Sequence, residues 1–112
     1  MEKQIFTPEE IEFIQLNVIG LLFYVKMHDK RDLPHCFRRC EIIVKNIDIC
    51  RSGCYSNIEK LTQLIKEDWC SASGAHTGLS EYYIPNEEFE IQKNMNSAIS
   101  RKISVIEKHI NS

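Results

Sequence analysis

The sequence predicts an all-α fold, a compact bundle of about four helices with one long loop before the last. Three observations carry that reading. Apolar residues recur at three- and four-residue steps through most of the chain. Only four Gly and three Pro punctuate 112 residues, so regular elements should be long. Thr7-Pro8-Glu9-Glu10 combines a capping Thr, a Pro at the first helical position and a Glu at the third, a strong helix start.

From that start Ile11, Ile14, Val18, Leu21, Leu22 and Val25 form one stripe, which predicts a first helix over 8–29 ending in the polar run His28-Asp29-Lys30-Arg31-Asp32. Leu33-Pro34 opens a second segment with Asp32 as its cap, since proline disfavours helix just before itself but fits the first turn. Phe37, Cys40, Ile43, Val44 and Ile47 place this helix at 34–48, with Arg51-Ser52-Gly53 as the turn after it. Ser56-Asn57-Ile58-Glu59 reads as a second capping box, and Ile58, Leu61, Leu64, Ile65 and Trp69 give a third helix over 55–69. Short polar turns imply antiparallel neighbours. Ser71 to Pro85 lacks helical period and is long for a connection in a compact domain, where long loops are often functional. Asn86-Glu87-Glu88 begins the last helix with acids where the helix dipole favours them. Its buried stripe is Ile99, Ile103, Ile106 and Ile110, with Phe89 and Met95 on a neighbouring line.

With 43% apolar and 27% charged residues, residues 1–112 suit one folded domain with its own core. The net charge is −2, and no basic run exceeds the pairs Lys30-Arg31 and Arg38-Arg39, so the basic stripe that a nucleic-acid binder needs is missing. The charged start is unlike a signal peptide. The most apolar run, Val18 to Val25, is far short of the roughly 20 residues that span a bilayer. The expectation is a cytoplasmic protein that meets neither membrane nor nucleic acid directly.

Five cysteines invite three readings. Cys36, Cys40, Cys50 and Cys54 follow the spacing C-x3-C-x9-C-x3-C, which puts each pair one helical turn apart, so four thiolates could converge on zinc. Structural zinc knuckles usually have two intervening residues. The spacing is also similar to the twin C-x3-C disulfide hairpin of the small mitochondrial translocase chaperones, which have a longer spacer. As core, cysteine is a small hydrophobe, and Cys36 and Cys40 fall on or near the apolar stripe. The core reading is preferred, and no cofactor is expected.

No metalloprotease, nucleophile-elbow or P-loop pattern occurs. His35 adjoins Cys36, but adjacent helical residues do not face each other. Cys70 and His76 could meet in or near the loop, with nothing to complete a triad. His28 and His109 suit helix C-termini. The chain is therefore expected to bind rather than catalyse. The candidate binding face is Glu67, Asp68, Trp69, Glu81, Tyr82, Tyr83, Glu87, Glu88 and Glu90, carboxylates interleaved with aromatics and without a basic residue until Lys93 save His76, as a binder of a basic protein surface requires. The competing reading packs the aromatics under the loop and leaves the acids solvated.

Leu21-Leu22-Phe23-Tyr24-Val25, then Asp29-Lys30, Leu33-Pro34, Phe37-Arg38-Arg39-Cys40 and Ile42-Ile43, with a Gly-rich loop at Gly74 to Tyr83, resembles the immunity proteins of bacterial contact-dependent inhibition and related toxin systems. The likeness covers about the first half and the loop, and its residues are fold-forming. It implies a cytoplasmic partner-binder that blocks the active site of one cognate toxin domain, many of which are nucleases with basic clefts. The five cysteines are no part of that pattern.

Overall fold

The computed structural model describes residues 5–73, 78, 79 and 82–111. Among them the fold is all-helical: α1 (Pro8–His28), α2 (His35–Ser52), α3 (Ile58–Ser73) and α4 (Phe89–Ile110). None of these helices is long and apolar enough to cross a membrane.

The start of α1 follows its sequence chemistry. Glu10 N–H donates to Thr7 Oγ1 (3.1 Å) and Thr7 N–H to Glu10 Oε1 (2.8 Å), the reciprocal capping box. Immediately before it, the Phe6 N–H donates to Thr62 Oγ1 (3.1 Å) and ties the chain to α3. All six stripe residues of α1 are buried. The helix stops at His28, and Asp29 is its C-terminal flanking residue, with its N–H bonded to Val25 O.

α2 departs from expectation at both ends. Pro34, not Asp32, occupies the flanking position, and no side chain caps this helix. Its last turn runs four residues past the expected end, because Arg51 bonds Asp48 one turn back (2.9 Å) and Ser52 Oγ donates to Asp48 O (3.1 Å). The turn therefore falls later, with Cys54 and Tyr55 in the left-handed region (φ 56° and 60°). That conformation costs a non-glycine residue roughly 1–2 kcal/mol. The Tyr55 N–H to Cys50 O bond (2.9 Å) and the Tyr55 hydroxyl bond to Glu12 (3.2 Å) hold it. α3 starts at Ile58, two residues inside the expected capping box. It ends at Ser73 rather than 69, with Ala72 buried and Ser73 Oγ donating to Trp69 O (2.7 Å).

Three cross-helix ties show that α1 and α2 are antiparallel: Lys26 to Glu41 (2.9 Å), Gln15 to Asp48 (2.9 Å) and Arg51 to Glu12 (3.6 Å). Tyr24 under Lys102 and Phe13 against His109 give the same sense for α1 and α4. α1 thus lies between α2 and α4, α3 packs on α2, and α3 meets α4 only sparingly. The molecule measures 48 × 30 × 21 Å, so it is about two helices thick, given a helix diameter near 10–12 Å. Gln15, buried in the α1–α2 seam, is satisfied by Val44 O, Asp48 and Arg51.

Candidate binding face

The connection into α4 is held by polar groups that the helical stripes do not reveal. At the end of α1, the buried Asp29 carboxylate accepts two hydrogen bonds from the Arg31 guanidinium (both 2.9 Å) and one from the Arg31 N–H (3.0 Å). The Tyr82 hydroxyl donates to the same carboxylate. Arg31 also reaches Tyr83 O (2.9 Å). The Arg31 guanidinium therefore holds the Asp29 carboxyl at about 2, against its desolvation, and burial together with the Asp29 charge pushes the Tyr82 phenol up. The Tyr82 ring stands edge-on to Phe37 at 4.6 Å between centroids.

Two residues further on, Asn96 of α4 grips the backbone of Ile84. The Ile84 N–H donates to Asn96 Oδ1 (2.7 Å), and Asn96 Nδ2 donates back to Ile84 O (2.9 Å). Asn86 then organises the α4 start: its side chain accepts the Glu88 N–H (2.9 Å), and its own N–H donates to Gln92 Oε1 (3.0 Å). Residues 82–88 are in this way pinned to both α1 and α4.

This scaffold divides the nine expected face residues. Trp69 is 2% exposed and belongs to the core, because α3 turns it inward with Leu61 and Ile65. Its Nε1 has no hydrogen-bond partner among the described residues. Asp68 is buried too and pairs with Arg39 (3.3 Å); desolvation raises its carboxyl pKa, and Arg39 opposes that shift. Tyr82 is half-buried in the Asp29 cluster. These three are corrected from surface to structural residues. Glu67 is exposed on α3, and Glu81 lies outside the described residues. Tyr83, Glu87, Glu88 and Glu90 are exposed together along 83–90.

Phe89 is the residue that sequence reading missed. The sequence pattern sets it beside the buried line of α4, yet it is 70% exposed, while Tyr83 is 55% exposed and Ile91 43%. Phe89 is the first helical residue of α4, nearly two turns before the helix settles its Met95–Ile99 stripe onto the core. Asn86, with both its groups committed to the helix start, was the available sign that α4 begins at this point. The resulting edge carries Glu87, Glu88 and Glu90 around two exposed rings, and the α4 dipole favours those carboxylates.

The cysteines separate in the same way. Cys36 and Cys40 are buried, and desolvation pushes both thiols up, Cys40 to about 12. Cys50 is half-buried, and Cys54 and Cys70 are exposed. Cys36 and Cys50 sit on one helix, about 21 Å apart at 1.5 Å per residue, so four thiolates do not converge on one ion. Among the described residues no three His, Cys, Asp or Glu side chains gather as a metal would need. Of the Cys70–His76 pair, His76 lies outside the described residues.

No family model matches this chain, and neither a curated protein nor a solved structure gives a significant match.

Proposed function

We propose that this chain is a cytoplasmic immunity protein that binds and neutralises a toxin domain with a basic surface by covering its active site. The edge formed by Tyr83, Glu87, Glu88, Phe89 and Glu90 is the docking surface in this reading. The observation that supports it most is the exposure of Phe89 and Tyr83 among three carboxylates on a segment already pinned at both ends. Aromatic anchors on a rigid support lose little conformational freedom on binding, and carboxylates around them steer a cationic partner.

The test is titration calorimetry against the toxin domain encoded beside this chain's gene. Reversal of Glu87, Glu88 and Glu90 to Lys should weaken binding about 100-fold or more, with a slower association rate and unchanged helical circular dichroism. An unaltered affinity would remove this edge from the interface. A chain that binds no such domain and gives no protection to cells expressing it would remove the immunity reading itself.

A further inference from the structure

The outward side of α1 carries an apolar stripe of its own. Leu16 (68% exposed), Phe23 (64%), Met27, Phe13 and Ile19 all face away from the core. α2 and α4 flank the helix, and His109 of α4 stacks on the Phe13 ring at one margin of the stripe. Phe13, Leu16, Gly20, Phe23 and Met27 are spaced three, four, three and four residues apart, the 3.5-residue repeat of a helix that packs along a second helix.

The stripe is also nearly symmetric about its centre. Turned end for end around Gly20, Phe13 falls opposite Met27, and Leu16 falls opposite Tyr24, one residue (about 1.5 Å) past Phe23. Gly20 itself is the most costly residue for a helix interior after proline, and a Cβ placed on it would meet nothing within 4 Å. The fold of one chain thus gives no packing reason for glycine there. A second helix crossing at that point gives one, because two glycines let backbones approach closely.

The charges beside the stripe are self-complementary in the same arrangement. Glu12 and Lys26 flank the stripe on one side, seven residues before and seven after Ile19, so in copies crossing at Gly20 each Glu12 lies two residues, about 3 Å along the axis, from the level of the other chain's Lys26, within reach of both long side chains. Both side chains are 55% exposed and keep room for a further partner beside their contacts to Arg51 and Glu41. Val105, also exposed, lies on α4 between Lys102 and His109, which touch α1 at Tyr24 and Phe13. At about 100 Å² for each half-exposed large side chain, the patch offers on the order of 500 Å² of apolar surface. With its charged rim it approaches the roughly 800 Å² per partner of a standard interface.

We infer that the exposed face of α1 is a homodimer interface in which two copies of this chain pack antiparallel, α1 against α1, crossing at Gly20. This surface shares no residue with the Tyr83–Glu90 edge, so either can fail without the other.

Sedimentation equilibrium of the full chain over a wide range of concentration should approach twice its 13.1 kDa mass. Leu16→Glu with Phe23→Glu should return it to the single-chain mass with helical circular dichroism intact, since both residues are exposed. Orientation is read by oxidative cross-linking with Cys54 and Cys70 changed to Ser. Gly20→Cys should link to its own copy, whereas Phe13→Cys should not, its two copies lying about 20 Å apart along the antiparallel pair. A chain that stays at 13.1 kDa at every concentration, a dimer unaffected by the paired Glu substitutions, or self-linking through Phe13→Cys would each overturn the inference.

Discussion

Tyr82 and Tyr83 are neighbours with the same side chain and opposite situations. Tyr82 turns inward, its ring against Phe37 and its hydroxyl on the buried Asp29 carboxylate. Tyr83 turns outward and is 55% exposed, and Arg31 bonds its backbone carbonyl. One residue of chain separates the cluster that fixes the connection from the edge that the connection presents. The cluster accounts for the edge: a loop held by Asp29, Arg31 and Asn96 can afford to leave Tyr83 and Phe89 uncovered.

The comparison breaks first at Asp29. Asp29→Ala leaves the Tyr82 hydroxyl without its acceptor and Arg31 without its carboxylate. The half-exposed Arg31 recovers water, which lowers the cost below that of a fully buried pair. A loss of about 2–3 kcal/mol in urea unfolding is expected. Loss below about 0.5 kcal/mol would mean that the cluster holds nothing.

Acid probes the same carboxylate without mutation. Its folded value of about 2 lies below the ordinary 3.9 of an unfolded aspartate, so the unfolded chain takes up the proton first. The stabilisation is therefore fully present above about pH 4 and is lost as pH falls from there through 2, amounting to about 2 kcal/mol. Asp68, raised by desolvation, acts in the opposite sense and softens that loss. Unfolding free energies of the parent chain and Asp29→Asn should differ near pH 6 and converge near pH 2. Parallel curves would contradict the assignment.

How much of this could be read beforehand differs by element. The inner stripe of α1 is legible residue for residue: the six apolar side chains that follow the Thr7–Glu10 start at helical spacing are all buried. The end of α2 is not, since Arg51 and Ser52 look like a turn until Asp48 is seen to bind both. The Asp29 cluster joins residues more than fifty positions apart, and an acid in a polar turn reads as solvated. Of the expected face, Tyr83, Glu87, Glu88 and Glu90 are exposed, as Glu67 is. Trp69 reads both as part of the α3 stripe and as a face residue, and the stripe reading holds; the burial of Asp68 depends on Arg39 of α2, which the α3 pattern does not reveal. The outer stripe of α1 was present in the sequence as well, hidden by a helix that satisfies its core with its other side.

Tyr82→Phe sharpens the contrast at smaller scale. The ring contact with Phe37 survives and only the hydroxyl bond is removed, so a loss of about 1 kcal/mol is expected. Because Asp29 keeps its three bonds from Arg31, its carboxylate remains satisfied.

The smallest effect on stability should come from the adjacent residue. Tyr83→Ser and Phe89→Ser remove rings whose surface is mostly in water already, so each should shift unfolding free energy by less than about 0.5 kcal/mol. The same substitutions should be the costly ones for binding, on the order of 2 kcal/mol each in affinity for a partner that buries them. This crossing of effects separates a presented ring from a packed one. Tyr82→Phe should lower stability and spare affinity, Tyr83→Ser should lower affinity and spare stability. If Tyr83→Ser instead destabilised the fold as Tyr82→Phe does, both rings would belong to the scaffold, and the docking edge would reduce to Phe89 and its three carboxylates.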